Sequence, residues 1–152
     1  MTNLEVDREI VIDAPIEVVW RTITEADRVA QWWADRVELE AKPGGAGLLI
    51  FEHDDGTHVS PLVVEAVEPP TLFSFRWCYP EGDDPVPGNS MLVEFTLVSE
   101  GAARTRLRVT ESDLTLLSWP EDDKVQYAED HRNGWTHFFG RLASLLADRP
   151  GE

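Results

Sequence analysis

The sequence predicts an α+β domain: a curved antiparallel sheet of about six to seven strands wrapped around one long C-terminal helix, with two short helices after the first strand. Three observations carry this. From Pro120 to Asp148, apolar or aromatic residues recur at spacings of three and four: Val125, Ala128, Trp135, Phe138, Phe139, Leu142, Leu145 and Leu146. From Asp35 to Ser112 the period is two. Between the first apolar run and that region lie two short helical runs. A helix of about 25 residues, roughly 38 Å long, is too long for a small domain to hide by helix packing alone and needs a sheet to lie in.

Each element follows in order. Glu9 to Asp13 is a short apolar run suited to a strand. Asp13-Ala14-Pro15 reads as a helix start, with Asp13 or Ala14 as cap and Pro15 in the first turn, followed by Val18, Val19, Trp20 and Ile23. Thr24 with Asp27 three residues on predicts a second N-cap, placing Val29, Trp32 and Trp33 on the next short helix. Val37 and Leu39 then alternate with charges. Gly44 to Gly47 is a turn; no helix follows it, so it reads as a hairpin and not as a phosphate cradle. Asp55-Gly56 signals a type I′ hairpin. Val59 to Val67 alternates, and Glu68-Pro69-Pro70 turns. Phe73, Phe75, Trp77 and Tyr79 share one face of the next strand, with Ser74, Arg76 and Cys78 on the other. Pro80 to Asn89 is a long loop. Met91, Val93, Phe95 and Leu97 line one face of a strand. Thr105, Leu107, Val109 and Glu111 line one face of the next, with Arg104, Arg106 and Arg108 opposite. Ser118 and Glu121 have the form of a capping box for the long helix.

The 152 residues predict a single domain spanning 1–152. With 29 acidic against 13 basic residues, the net charge is −16, which argues against nucleic acid and anionic membranes as partners. No apolar run approaches the roughly 18 residues of a membrane span, and Met1 to Asp7 has no signal-peptide core. A single cysteine, Cys78, excludes an internal disulfide framework and fits a reducing compartment. The chain is therefore expected to be cytoplasmic.

Ile12-Asp13-Ala14-Pro15 leading to Val19-Trp20, Thr24 to Trp32-Trp33, Val64 to Pro70, and His131-Arg132-Asn133-Gly134-Trp135 together resemble the helix-grip superfamily. This superfamily includes START domains, Bet v 1-like allergens and polyketide cyclases. Within it the chain looks most like the homologues of the C-terminal domain of activators of the heat-shock chaperone ATPase. The resemblance runs from about Val6 to Leu146. It implies a sheet gripping the last helix and a cavity between them, often holding a small apolar or amphipathic molecule. It does not imply one activity.

If the helix faces a cavity, His131 and Trp135, one turn apart, are ligand-contacting candidates; the alternative is core packing for Trp135 and a hydrogen-bonded, partly exposed histidine. Alternation points Glu111 inward, where a carboxylate must be paired or shift its pKa upward; the alternative is a frayed strand end with Glu111 at the rim. Trp33, Phe73, Phe75, Trp77 and Met91 are cavity-lining candidates that also suit a core. Gly134, inside the helix, suggests close approach of sheet to helix. His53, His58 and Asp54 lack a third ligand at fixed spacing, so no metal is expected, and no cofactor. The arginine ladder is expected to pair with Glu94 and other acids.

Three functions compete. The first is a binding module for a small hydrophobic or amphipathic molecule, anchored by His131 and Glu111. The second is an enzyme of cyclase or hydrolase type using the same pair as acid and base. The third, from the resemblance alone, is a chaperone or protein-interaction domain. A homodimer is open if Leu62 and Leu92 lie on the exposed sheet face.

Overall fold

The period-two region folds as predicted into one antiparallel sheet in the computed structural model, which describes residues 4–77 and 90–147. The elements are β1 (Val6–Ile12), α1 (Ile16–Thr24), α2 (Ala26–Val29), β2 (Arg36–Leu39), β3 (Ala46–His53), β4 (Gly56–Glu68), β5 (Leu72–Trp77), β6 (Met91–Ser99), β7 (Thr105–Ser112), a 3₁₀ turn at Leu114–Leu116, and α3 (Glu121–Ala147). The strand order is β1-β7-β6-β5-β4-β3-β2. Strands β2 to β7 form a meander, and β1 closes on β7. Since β1 and β2 lie at opposite edges, the stretch bearing α1 and α2 crosses from one edge to the other. A register shift at Val64/Ala66 breaks the β4–β5 ladder, a bulge of the kind that bends a long strand. Cys78, Tyr79 and the Pro80–Asn89 stretch lie outside the described residues.

One sheet face buries Phe73, Phe75, Trp77, Met91, Val93, Phe95, Leu97, Leu107 and Val109. The α3 stripe of Tyr127, Ala128, Trp135, Phe139, Leu142 and Leu146 is buried with them in one core. Neither side can hide its apolar surface alone, so sheet and helix stabilise each other. Arg8 to Thr136 Oγ1 (3.0 Å) and Arg132 to the Glu5 carbonyl (2.7 Å) tie α3 to the β1 edge. Leu62 is buried in the core, so it offers nothing to a dimer face, and Leu92 is half-buried. Among the described residues the exposed large apolar side chains are Val11, Val98 and Leu116.

Several local expectations are corrected. Helix α1 begins one residue late: Pro15 itself is the cap, its carbonyl accepting from Val18 and Val19. Pro120 likewise accepts from Asp123 and Lys124 and so takes the cap position of α3, leaving Ser118 two residues outside it. Thr24 is the last residue of α1, where its hydroxyl donates to the Trp20 carbonyl (2.8 Å); Glu25 caps α2 instead. Helix α2 stops at Val29, so Trp32 and Trp33 lie in the bend beyond it. The β3–β4 loop is Asp54-Asp55, and Gly56 opens β4 with φ +132°, a conformation that needs glycine. The arginine ladder pairs mainly along β1: Arg104 with Asp13 (3.2 Å), Arg106 with Glu9 (3.0 Å) and Glu100 (2.6 Å), Arg108 with Asp7 (2.6 Å). These pairs are exposed and contribute little to stability.

Gly134 does not mark a close approach. A Cβ built there meets no described atom within 4 Å. Gly134→Ala is therefore expected to stabilise the chain by about 0.5–1 kcal/mol, because alanine loses less backbone freedom on folding and meets no obstacle. Urea denaturation checks this; a loss of stability would show that the glycine has a packing role.

Candidate functional site

Alternation along β7 sends Thr105, Leu107, Val109 and Glu111 to the interior, and the register holds to the last of them, with Glu111 opposite Val6 of β1 and Val93 of β6. The inward reading of Glu111 is the one realised: its side chain is 0% exposed. Helix periodicity places Tyr127, His131 and Trp135 at successive turns of one α3 face, and that face lies against the end of β7. Trp77, the last described residue of β5, reaches the same point from the sheet.

The result is a carboxylate caged by donors. Oε1 accepts from Tyr127 O–H at 2.5 Å and, at a long 3.4 Å, from Trp77 Nε1–H. Oε2 accepts from Trp135 Nε1–H at 2.7 Å and lies 2.8 Å from His131 Nδ1. Trp77 Nε1 also lies 3.2 Å from the Tyr127 oxygen, so its proton is shared between two acceptors. Burial by itself raises the Glu111 pKa. The charge of His131, and hydrogen bonds from His131, Tyr127 and Trp135, oppose that more strongly, and the net shift is downward from 4.5. The carboxyl is thus an ionised group in a dry site, a state that only a full set of donors makes tolerable. With Oε2 as acceptor, His131 donates through Nδ1–H, and this bond orients the ring against the carboxylate. The His131 ring stacks on Tyr127 (centroids 3.7 Å, 16°) and meets Trp77 edge-on at 5.8 Å.

Beside the cage stands an aromatic wall. Trp33 lies 4.9 Å from Trp135, 5.4 Å from Trp77, 6.0 Å from Phe75, 6.3 Å from Phe51 and 6.4 Å from Phe95. The structure therefore brings Glu111, His131, Trp135 and Trp77 into one polar cluster, with Trp33 and Phe75 adjoining it. Met91 is buried opposite Trp77 in the β5–β6 register. Tyr127 was missed from the sequence. The signal was there, four residues before His131 and eight before Trp135, but a tyrosine one turn outside an assigned pair reads as ordinary amphipathic packing.

A groove of about 630 Å³ opens at the end of the β1–β7 pair, lined by Leu4, Val6, Arg108, Glu111, Leu114 and Thr115 among others. Because the Glu111 side chain is sealed, that residue meets the groove through its backbone. Among the described residues no group of three or more His, Cys, Asp or Glu is arranged to hold a metal ion, and no helix is long and apolar enough to cross a membrane. His58 Nε2 lies 3.3 Å from Asp55 at the exposed hairpin tip.

The chain is similar to several known structures. Protein MLL2253 from Mesorhizobium loti is 26% identical, with a TM-score of 0.75 over 94% of this chain and 96% of that one. DynU16, a protein in the dynemicin biosynthetic locus, is 28% identical with a TM-score of 0.75; the match covers 96% of this chain but 48% of DynU16, about half its length. The Aha1 dimer from Colwellia psychrerythraea is 20% identical with a TM-score of 0.72 over 97% and 98% of the two chains, and shares the fold. No curated protein matches the chain significantly. Residues 13–147 match the family model described as activator of Hsp90 ATPase homolog 1-like protein. That match spans most of the chain, from the first helix through α3: the protein belongs to the activator of Hsp90 ATPase homolog 1-like family, built on the helix-grip fold.

Proposed function

We propose that the chain is a small-molecule binding protein that holds a hydrophobic or amphipathic ligand between the sheet and α3, with the Glu111 cage as the polar end of the site. The observation that supports this is the ionised, fully buried carboxylate set beside an aromatic wall. Desolvating a charge costs several kcal/mol, and well-packed apolar residues often serve stability as well. A cage of Tyr127, His131, Trp77 and Trp135 donors instead gives an otherwise greasy interior one oriented polar corner, the arrangement that fixes an amphipathic molecule. The 28% identity to a protein of a biosynthetic locus adds weight toward small-molecule chemistry.

Native mass spectrometry of protein purified without added ligand tests the reading, together with a thermal-shift screen across lipid, sterol and aromatic ligand classes. A retained small molecule, or a ligand class that raises the melting temperature, is the expected result. An empty spectrum with no stabilising class overturns it, and capture of the purified heat-shock chaperone then points to a protein partner.

The 2.8 Å contact between Glu111 and His131 favours one second reading: an enzyme in which Glu111 orients His131 and His131 moves the proton. In that case the retained molecule is turned over, and His131→Gln abolishes turnover while leaving binding intact. Binding with no turnover by the wild-type protein rejects it.

A further inference from the structure

Four tryptophans meet around the candidate site, and three of them are tied by their indole N–H. Trp32, 0% exposed, donates to the Thr22 carbonyl at 2.9 Å. Trp135 and Trp77 donate into the Glu111 cage. Trp33 is different: among the described residues no hydrogen bond holds its indole, and ring contacts alone keep it in place. It also sits in the bend between α2 and β2, whereas Trp77 belongs to a strand and Trp135 to the long helix. The bend is pinned on both sides of it. Trp32 anchors the near side, and on the far side Asp35 N–H donates to the Ile50 carbonyl (3.0 Å) while Asp35 Oδ2 accepts from Glu52 N–H (2.7 Å). Trp33 is itself buried, at 7% exposure, so opening the site from this side requires its side chain to turn outward about a backbone that stays pinned.

We infer that Trp33 is the removable wall of the site, and that the planar aromatic ring of a bound molecule takes the place of its indole against Trp135 and Trp77. The inference rests on the small-molecule reading above and narrows it to a ligand class. The slot vacated by Trp33 is walled by Trp77, Trp135, Phe51, Phe75 and Phe95, so its surface is mostly ring faces and edges, which favour another flat π-system over a saturated chain. At its polar end the Trp77 N–H is the most weakly engaged donor, split between acceptors at 3.2 and 3.4 Å. A carbonyl oxygen on the edge of the ring system would draw that proton without disturbing the shorter bonds from Tyr127 and Trp135. The site thus selects a planar aromatic molecule bearing an acceptor oxygen.

The probe is 2-acetylnaphthalene, with the corresponding saturated decalin ketone as control. The wild-type protein is labelled with 5-fluorotryptophan, and of its six tryptophan resonances that of Trp33 is assigned through Trp33→Phe. On titration the Trp33 fluorine line is expected to move to a solvent-exposed position, shown by a gained H₂O/D₂O isotope shift, while the Trp32 line gains none. The saturated ketone leaves both lines unchanged. Trp33→Ala, which removes the need for displacement, is expected to bind the probe about ten-fold tighter than the wild type. Binding with the Trp33 line still solvent-protected, or equal binding of the saturated ketone, overturns the removable wall but leaves the small-molecule reading standing. No binding of the probe to wild type or to Trp33→Ala overturns the proposed ligand class. Failure of the broader reading is recognised separately, by an empty native spectrum together with a thermal-shift screen in which no class stabilises.

Discussion

Glu111→Ala is expected to lose about 3–5 kcal/mol of folding stability, the usual consequence of removing one partner from a buried charged network. For a chain of this length that lowers the melting temperature by roughly 10 °C. The loss comes from what remains: Tyr127 O–H, Trp135 N–H, Trp77 N–H and His131 Nδ1 all converge on oxygens that are gone, in a place water does not reach. Glu111→Gln fills the same volume but turns one acceptor into an amide donor aimed at other donors, so it rescues little. The acid limb of the stability curve gives an independent reading. Glu111 has its pKa lowered in the folded state, so its stabilisation is complete above about pH 4.5 and is lost as the pH falls through the folded value. The stability gap between wild type and Glu111→Gln should therefore narrow below about pH 4.5. The groups facing the carboxyl during that titration are Tyr127 and His131 of α3. Urea denaturation of both proteins from pH 3 to 8 measures it, and a gap that is small at neutral pH, or that does not change with pH, means the carboxylate is not held ionised.

Trp135→Ala is expected to cost about 3–5 kcal/mol through the cavity alone, with a further loss from the unmet Glu111 oxygen. Its ring touches Trp33 at 4.9 Å, Phe95 at 5.5 Å and Phe139 at 5.9 Å and joins the sheet core to the middle of α3. Trp135→Phe separates the two effects, because it keeps most of the ring contacts and removes only the N–H that lies 2.7 Å from Oε2; it should lose about 1.5–3 kcal/mol. Combined with Glu111→Gln, the two losses should fall short of adding by about 0.5–3 kcal/mol, since either change breaks the same bond. Strict additivity in that cycle would show that Trp135 serves packing alone. Such an outcome would also weaken the removable-wall inference, which needs Trp135 fixed while Trp33 moves.

Much of the cage was legible in advance, and the part that was not has a definite cause. Glu111 announced itself as a charge in an otherwise apolar alternation, and His131 and Trp135 as polar-capable residues on an apolar stripe. Tyr127 did not, because a tyrosine on such a stripe is satisfied equally by core packing. The expectation that an inward Glu111 is either paired or raised in pKa resolves to the paired case, a choice that depends on side chains 16 to 34 positions away along the chain. The cap errors at Pro15, Glu25 and Pro120 have a different origin. The capping motifs leave the competing bonds nearly equal, as when the Thr24 hydroxyl turns back to the Trp20 carbonyl.

The sequence by itself determined the elements and their faces: the inward set of β7, the stripe of α3, the aromatic sides of β5 and β6. These follow from periods of two and 3.6, which are local properties of the backbone. Only the tertiary structure decided that Trp77, Glu111, Tyr127, His131 and Trp135 meet at one point, and that Trp33 stands among them with no side-chain hydrogen bond among the described residues. Both depend on how far β7 extends before it ends, where α3 crosses the sheet, and how the bend after α2 is pinned. Those are long-range consequences of packing one curved sheet around one helix, and no local repeat encodes them.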